Sequence, residues 1–206
     1  MIINNSHGFD NWSQRKNLNE PFATCNVTAC INAAQSSGHD VMACRKGLAD
    51  RPADDLLLFI KSDVDCNKSW ESHDPNFEIP INQWMSPLAL GLSKWLGNIK
   101  YAEFKMSDWA VMRDNIIKGG CCVVSGKYKT VKKSIDHITA LVGINYDETT
   151  LKVSEWIMDD SYGDYHTRYE TQIGNDIIMP HSDFITMLKE QNSSAKRCIF
   201  VYKKEK

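Results

Sequence analysis

The chain reads as an α+β protein, and three features of its sequence say so. Helix-period apolar patterns fill the first half, β-branched apolar runs fill the second, and Gly119-Gly120 separates the two. At 206 residues it predicts a single domain, 1–206, with 1–118 mainly helical and 119–206 mainly antiparallel sheet.

Residues 1–23 carry Asn, Ser, Gly and Pro throughout and predict an irregular segment. The first helix follows. Val27, Cys30, Ile31 and Ala34 recur at i, i+3, i+4 and i+7, one buried stripe, with Thr24 as N-cap and Gly38 just past the end. Ala53–Lys61 predicts a short second helix. Gln83–Leu96 predicts a third, ended by Gly97 with Pro87 in its first turns. Asp108–Lys118 predicts a fourth, capped by Ser107. Asp63–Pro80 shows no period and predicts a long surface loop. From Cys121 the runs Cys121–Ser125, Ile138–Ile144, Leu151–Trp156 and Cys198–Tyr202 predict strands. Asn145–Thr150 forms the turn of a hairpin between the second and third of them. A last helix, Ser182–Glu190, precedes the final strand.

Composition excludes several function classes. A formal net charge of -2 with both signs interspersed provides no basic field for nucleic acid. The basic runs Lys127–Lys133 and Lys203–Lys206 are short, and read as a solvated hairpin and a tail. No apolar stretch approaches the roughly 18 residues of a membrane helix, and residues 1–20 lack the apolar segment of a secretory signal. Seven cysteines, odd in number and widely spread, predict reduced thiols and a cytoplasmic protein. There is no CxxC pair, zinc-finger spacing or HExxH, so neither metal nor cofactor is expected.

The chemistry-bearing candidates are a cysteine, a histidine and a carboxylate. Cys25 opens the first helix, where N–H groups and the helix dipole favour a thiolate, the nucleophilic form. A small buried thiol is the competing reading for any cysteine. His137 directly precedes the strand run Ile138–Ile144 and can present its ring at the sheet rim as a base; a surface histidine is its competitor, and His166 is a rival base. His7, His39, His73 and His181 read as solvated. Asp159 and Asp160 follow the next strand, which places a carboxylate near the rim where it can fix the histidine tautomer.

In this order the residues resemble a known family. Ser13-Gln14-Arg15-Lys16-Asn17 followed by Thr24-Cys25-Asn26-Val27-Thr28 is similar to the opening of papain-like cysteine peptidases related to bacteriocin double-glycine leader peptidases. Gly119–Gly126 resembles their first sheet strand, His137–Ile144 their histidine strand, and Asp159-Asp160-Ser161-Tyr162-Gly163-Asp164 their Asn-Asp-Pro-Tyr-Gly-Asp segment. The resemblance spans about residues 12–165. It implies a papain-like fold with the nucleophile helix packed on the sheet. It also implies Cys25 as nucleophile, His137 as base, Asp160 as orienting acid and Gln14 as oxyanion donor. Three departures stand out: Ser161 replaces Pro, Asp159 replaces Asn, and the gap from Gln14 to Cys25 is longer than in papain-type enzymes. Asp159 therefore stays open as the acid and Asn19 as the oxyanion donor.

The expected function is a cysteine peptidase acting on peptide or isopeptide bonds in a peptide or protein substrate. The alternatives are a cell-wall peptide amidase or endopeptidase, and a silent papain-like fold that binds a partner protein. The resemblance also implies preference for a small residue, often glycine, on the acyl side of the bond. Trp156, Tyr162 or Trp12 could wall such a cleft.

Overall fold

The computed structural model describes residues 1–9, 11–19, 23–76, 78–129, 133–188 and 196–205. Its centre is one open sheet of seven strands: β1 (Ile2–Asn4), β2 (Ala102–Ser107), β3 (Cys121–Lys129), β4 (Ser134–Tyr146), β5 (Val153–Asp159), β6 (Ile177–Pro180) and β7 (Lys196–Val201). The order is β2-β7-β3-β4-β5-β6, and every pairing is antiparallel. Strand β4 outruns β3, and β1 pairs with the far end of β4 at Gly143–Asn145.

Helices cover both faces. Alternate residues of a strand point to opposite faces, so neighbouring cysteines and valines of β3 serve different cores. Cys121 and Val123 pack with α1 (Cys25–Ser36), α2 (Pro52–Ser62), α3 (Val64–His73) and α4 (Met85–Trp95). Cys122 and Val124 pack with α5 (Trp109–Ile117) and α6 (His181–Met187) around Trp156, Phe184 and Phe200. Both members of the cysteine pair are thus core. All seven cysteines are free thiols, and Cys25 and Cys44 are the two that are not fully buried.

The first helix differs from the expected one-sided stripe. Residues on every side of α1 are buried, including Asn26, Thr28 and Asn32. Polar residues inside must be paired, and the segment before α1 supplies the partners. Asn32 accepts from the Trp12 backbone N–H at 2.7 Å and donates to the Trp12 carbonyl at 3.2 Å. Asn17 Nδ2 donates to Thr24 and Thr28 hydroxyls, both at 2.9 Å. Thr24 is the N-cap residue but its side chain does not cap. The C-terminus ends as expected: Gly38 has φ +87°, His39 N–H donates to Ala34 O and Gly38 N–H to Gln35 O, the paired closure that a left-handed glycine permits.

Several expectations need correction. Asp63–Pro80 is not a loop, because α3 occupies Val64–His73. Asp63 caps it by accepting from Asp65 and Cys66 N–H groups, both at 3.0 Å. Cys66 is its one buried residue, so no apolar period could announce it. The helix expected at Gln83–Leu96 starts at Met85, after a 3-10 turn at Ile81–Gln83, so Pro87 lies in a first turn that needs no N–H from it. Asp108, not Ser107, caps α5, accepting from Val111 N–H. Strands β1, β2 and β6 lie outside the four runs that predict strands. His39 is buried, its Nε2 donating to the Tyr202 carbonyl at 3.0 Å. Residues 130–132, 189–190 and 206, which end or interrupt the expected basic runs and last helix, lie outside the described residues. No helix among the described residues is long and apolar enough to cross a membrane.

Candidate active site

His137 is the fourth residue of β4, not the residue before it, and sits opposite Gly126 of β3. It is buried, with the rings of Tyr128, Tyr162 and Tyr169 edge-on to its imidazole at centroid distances of 5.3, 6.0 and 6.1 Å. Its Nε2–H donates to Asp160 Oδ1 at 2.7 Å. Cys25 lies near enough to the ring to favour its charged form, and with Nε2 taken by Asp160 the nitrogen left to face the thiol is Nδ1. Burial opposes the imidazolium, but the Asp160 charge and hydrogen bond outweigh it. With the further contribution of Cys25, the His137 pKa is raised to about 10.

Asp160 lies one residue past β5, where the chain leaves the sheet. Its carboxylate is fully engaged: Oδ1 accepts from His137 and from the Tyr162 backbone N–H at 2.9 Å, and Oδ2 accepts from the Tyr169 hydroxyl at 2.9 Å. The backbone there is fixed as well. Asp160 N–H donates to Gly174 O at 2.8 Å, so closely that a side chain on Gly174 would collide with the Asp160 carbonyl. Asp159 is the other candidate acid and points elsewhere. It is paired across from Ala140, lies on the face of Cys121, and accepts from Asp176 N–H at 3.0 Å. Burial, with the charges of Asp176 and Asp160, pushes its carboxyl up to about 7 although the Asp176 N–H opposes this.

One segment joins the helix of Cys25 to the loop of Asp160. Residues 11–15 run beside 160–162: Asn11 Nδ2 donates to Asp160 O at 3.0 Å, Gln14 N–H to Ser161 O at 3.0 Å, and Arg15 Nε to Tyr162 O at 2.9 Å. The same segment grips α1 through Trp12 and Asn17. Gln14 is buried, and its side-chain oxygen accepts from the Ser161 hydroxyl at 2.8 Å. The Ser161 hydroxyl thus fixes the orientation of the Gln14 amide. Asn19 is held differently. Its backbone N–H donates to Asp54 Oδ1 at 2.9 Å, and it borders a surface groove with Leu18, Met42, Arg45 and Leu48.

The structure therefore brings Cys25, His137 and Asp160 together, with Gln14 bound to the residue after the acid. It leaves Asp159 and Asn19 outside that group. The rival His166 donates to the Ile178 carbonyl at 2.8 Å. Of the three aromatic residues considered as cleft walls, Tyr162 stands beside His137. Trp156 is buried in the core with its Nε1 on His181, and Trp12 Nε1 donates to Gln35. Sequence reasoning missed Tyr169, whose signal would have been a tyrosine nine residues past the acid within an aromatic-rich loop. Among the described residues no cluster of three or more His, Cys, Asp or Glu could hold a metal ion. No family model matches the chain, and no curated protein matches it.

Proposed function

We propose that this chain is a papain-like cysteine peptidase that hydrolyses peptide or isopeptide bonds through Cys25, His137 and Asp160. The observation that carries the reading is the buried His137 ring held between the Cys25 side chain and the Asp160 carboxylate. An imidazole anchored at Nε2 by an anion, with a thiol at its other nitrogen, is built to take a proton from sulfur. In the proposed cycle His137 already holds the proton of Cys25 in the resting enzyme, and the thiolate attacks the carbonyl carbon, forming a C–S bond. The C–N bond then breaks as the imidazolium protonates the leaving nitrogen. Water, deprotonated by His137, attacks the thioester, and the acid product leaves with the thiolate and the imidazolium restored. Gln14 is the proposed side-chain donor to the oxyanion. This arrangement favours an enzyme over a silent binding module, since a buried, ionised His–Asp pair costs desolvation that a purely structural core would avoid with apolar residues.

The test is thiol selectivity. Iodoacetamide should modify Cys25 far faster than Cys44, the other thiol that is not fully buried, and a peptide electrophile should do the same. Equal rates at the two would overturn the reading.

A further inference from the structure

We propose that Tyr169 is a positioning residue of this site: its hydroxyl holds the Asp160 carboxylate in the orientation that fixes the His137 ring. The inference rests on the hydrolase reading only for its effect on rate; the geometry stands by itself.

Asp160 has two oxygens with different duties. Oδ1 faces His137 at 2.7 Å and Oδ2 accepts from Tyr169 at 2.9 Å. A carboxylate gripped at one oxygen can still swing about its Cβ–Cγ bond. Gripping both oxygens removes that freedom, and a hydrogen bond to an ion is about twice as strong as a neutral one. The carboxylate is buried, so an oxygen left without a donor would be costly. Burial first, then the Asp160 charge, push the Tyr169 phenol well above its ordinary value, so it keeps the proton that it donates.

The backbone is bent to make this contact. Arg168 and Tyr169 have φ of +53° and +68°, a left-handed pair without glycine. Such residues persist where the surroundings impose them. Here the 3-10 turn Tyr165–Thr167 imposes them. Arg168 N–H donates to Tyr165 O at 2.8 Å and Tyr169 N–H to Asp164 O at 2.9 Å, which curls the chain back on itself. The turn delivers the Tyr169 ring edge-on to Tyr162 and His137, with centroids at 5.2 and 6.1 Å, and its hydroxyl onto Asp160. The groups facing His137 are then Asp160, Cys25 and the rings of Tyr128, Tyr162 and Tyr169.

The test is Tyr169→Phe, which keeps the ring and deletes the hydroxyl. NMR titration of the His137 imidazole is the primary readout, and it needs no turnover. The midpoint should fall by up to about one pH unit, because a carboxylate free to turn about its Cβ–Cγ bond holds the imidazolium less well. The kcat should fall about tenfold with KM unchanged, and the alkaline limb of the Cys25 alkylation profile should move down in parallel. An unchanged His137 midpoint in Tyr169→Phe would overturn the inference even if activity fell, because a purely structural tyrosine would not move it. Slow alkylation of Cys25 in the unmodified protein would instead strike the hydrolase reading, and the His137 titration would still decide the role of Tyr169.

Discussion

His137 Nε2 and Asp160 Oδ1 lie 2.7 Å apart, both buried, one on strand β4 and the other just past the end of β5. The two residues are 23 apart in sequence, and the hairpin that joins their strands brings them face to face. The contact fixes which ring nitrogen faces the carboxylate and which is left toward Cys25, and several outcomes follow from that.

Replacement of Cys25 by alanine should abolish hydrolysis while leaving the fold intact, since the side chain is half-buried at the first turn of α1 and belongs to neither core. Circular dichroism and a peptide cleavage assay check this. Retained cleavage would remove Cys25 from the mechanism.

The two carboxylates should behave differently. Asp160→Asn should lower kcat on the order of ten-thousandfold, the scale set by a wrong tautomer in a serine triad. Asp159→Asn should leave kcat within a few-fold, because that side chain meets Asp176 N–H and not His137. The reverse ranking in steady-state kinetics would transfer the acid to Asp159.

Asp159 should instead govern pH-dependent stability. Its folded pKa of about 7 lies above the ordinary carboxylate value of 3.8, so between these values the folded state holds a proton that the unfolded state has lost. Stability therefore falls as pH rises from about 4 to 7, by an amount on the order of a few kcal/mol. Asp159→Asn, which can still accept from Asp176, should flatten this slope in urea denaturation and be the more stable protein at pH 8. An unaltered slope would exclude Asp159 as its source.

Gln14→Ala should lower kcat by about 100- to 1000-fold with little change in KM if its amide binds the developing oxyanion. Ser161→Ala, which frees the Gln14 oxygen without removing the amide, should cost about tenfold. Asn19→Ala should cost nothing in kcat. A larger loss in Asn19→Ala than in Gln14→Ala would exchange their roles.

For specificity, a peptide series varied at the residue on the acyl side of the bond should be cleaved fastest with glycine, and at least about tenfold slower with leucine or phenylalanine. Tyr162, with Arg15 Cζ 3.9 Å from its ring centre, is the aromatic residue of the three that stands beside His137. Tyr162→Ala should narrow the preference. Equal turnover of all three substrates would remove it.

Local chemistry made much of this legible. Gly38 and the apolar spacing of Val27 to Ala34 announce α1, Asn145–Thr150 announces the hairpin, and their order puts Cys25, His137 and Asp160 on converging elements. These signals depend on neighbours in the chain, which a sequence displays directly. The choice between Asp159 and Asp160 is of another kind. Successive strand residues face opposite sides, so one residue of register separates a carboxylate on His137 from one on Asp176, and only the strand pairing decides it. Helix α3 was hidden because its sole buried residue is Cys66, and β2 because it pairs with β7, far along the chain. Tyr169 was hidden because the left-handed turn that aims it exists only in the folded chain. The sequence by itself determined the helix that Cys25 opens and the strand that carries His137. The tertiary structure alone decided which carboxylate meets the ring and which hydroxyl holds that carboxylate, because both contacts join segments whose approach no local pattern records.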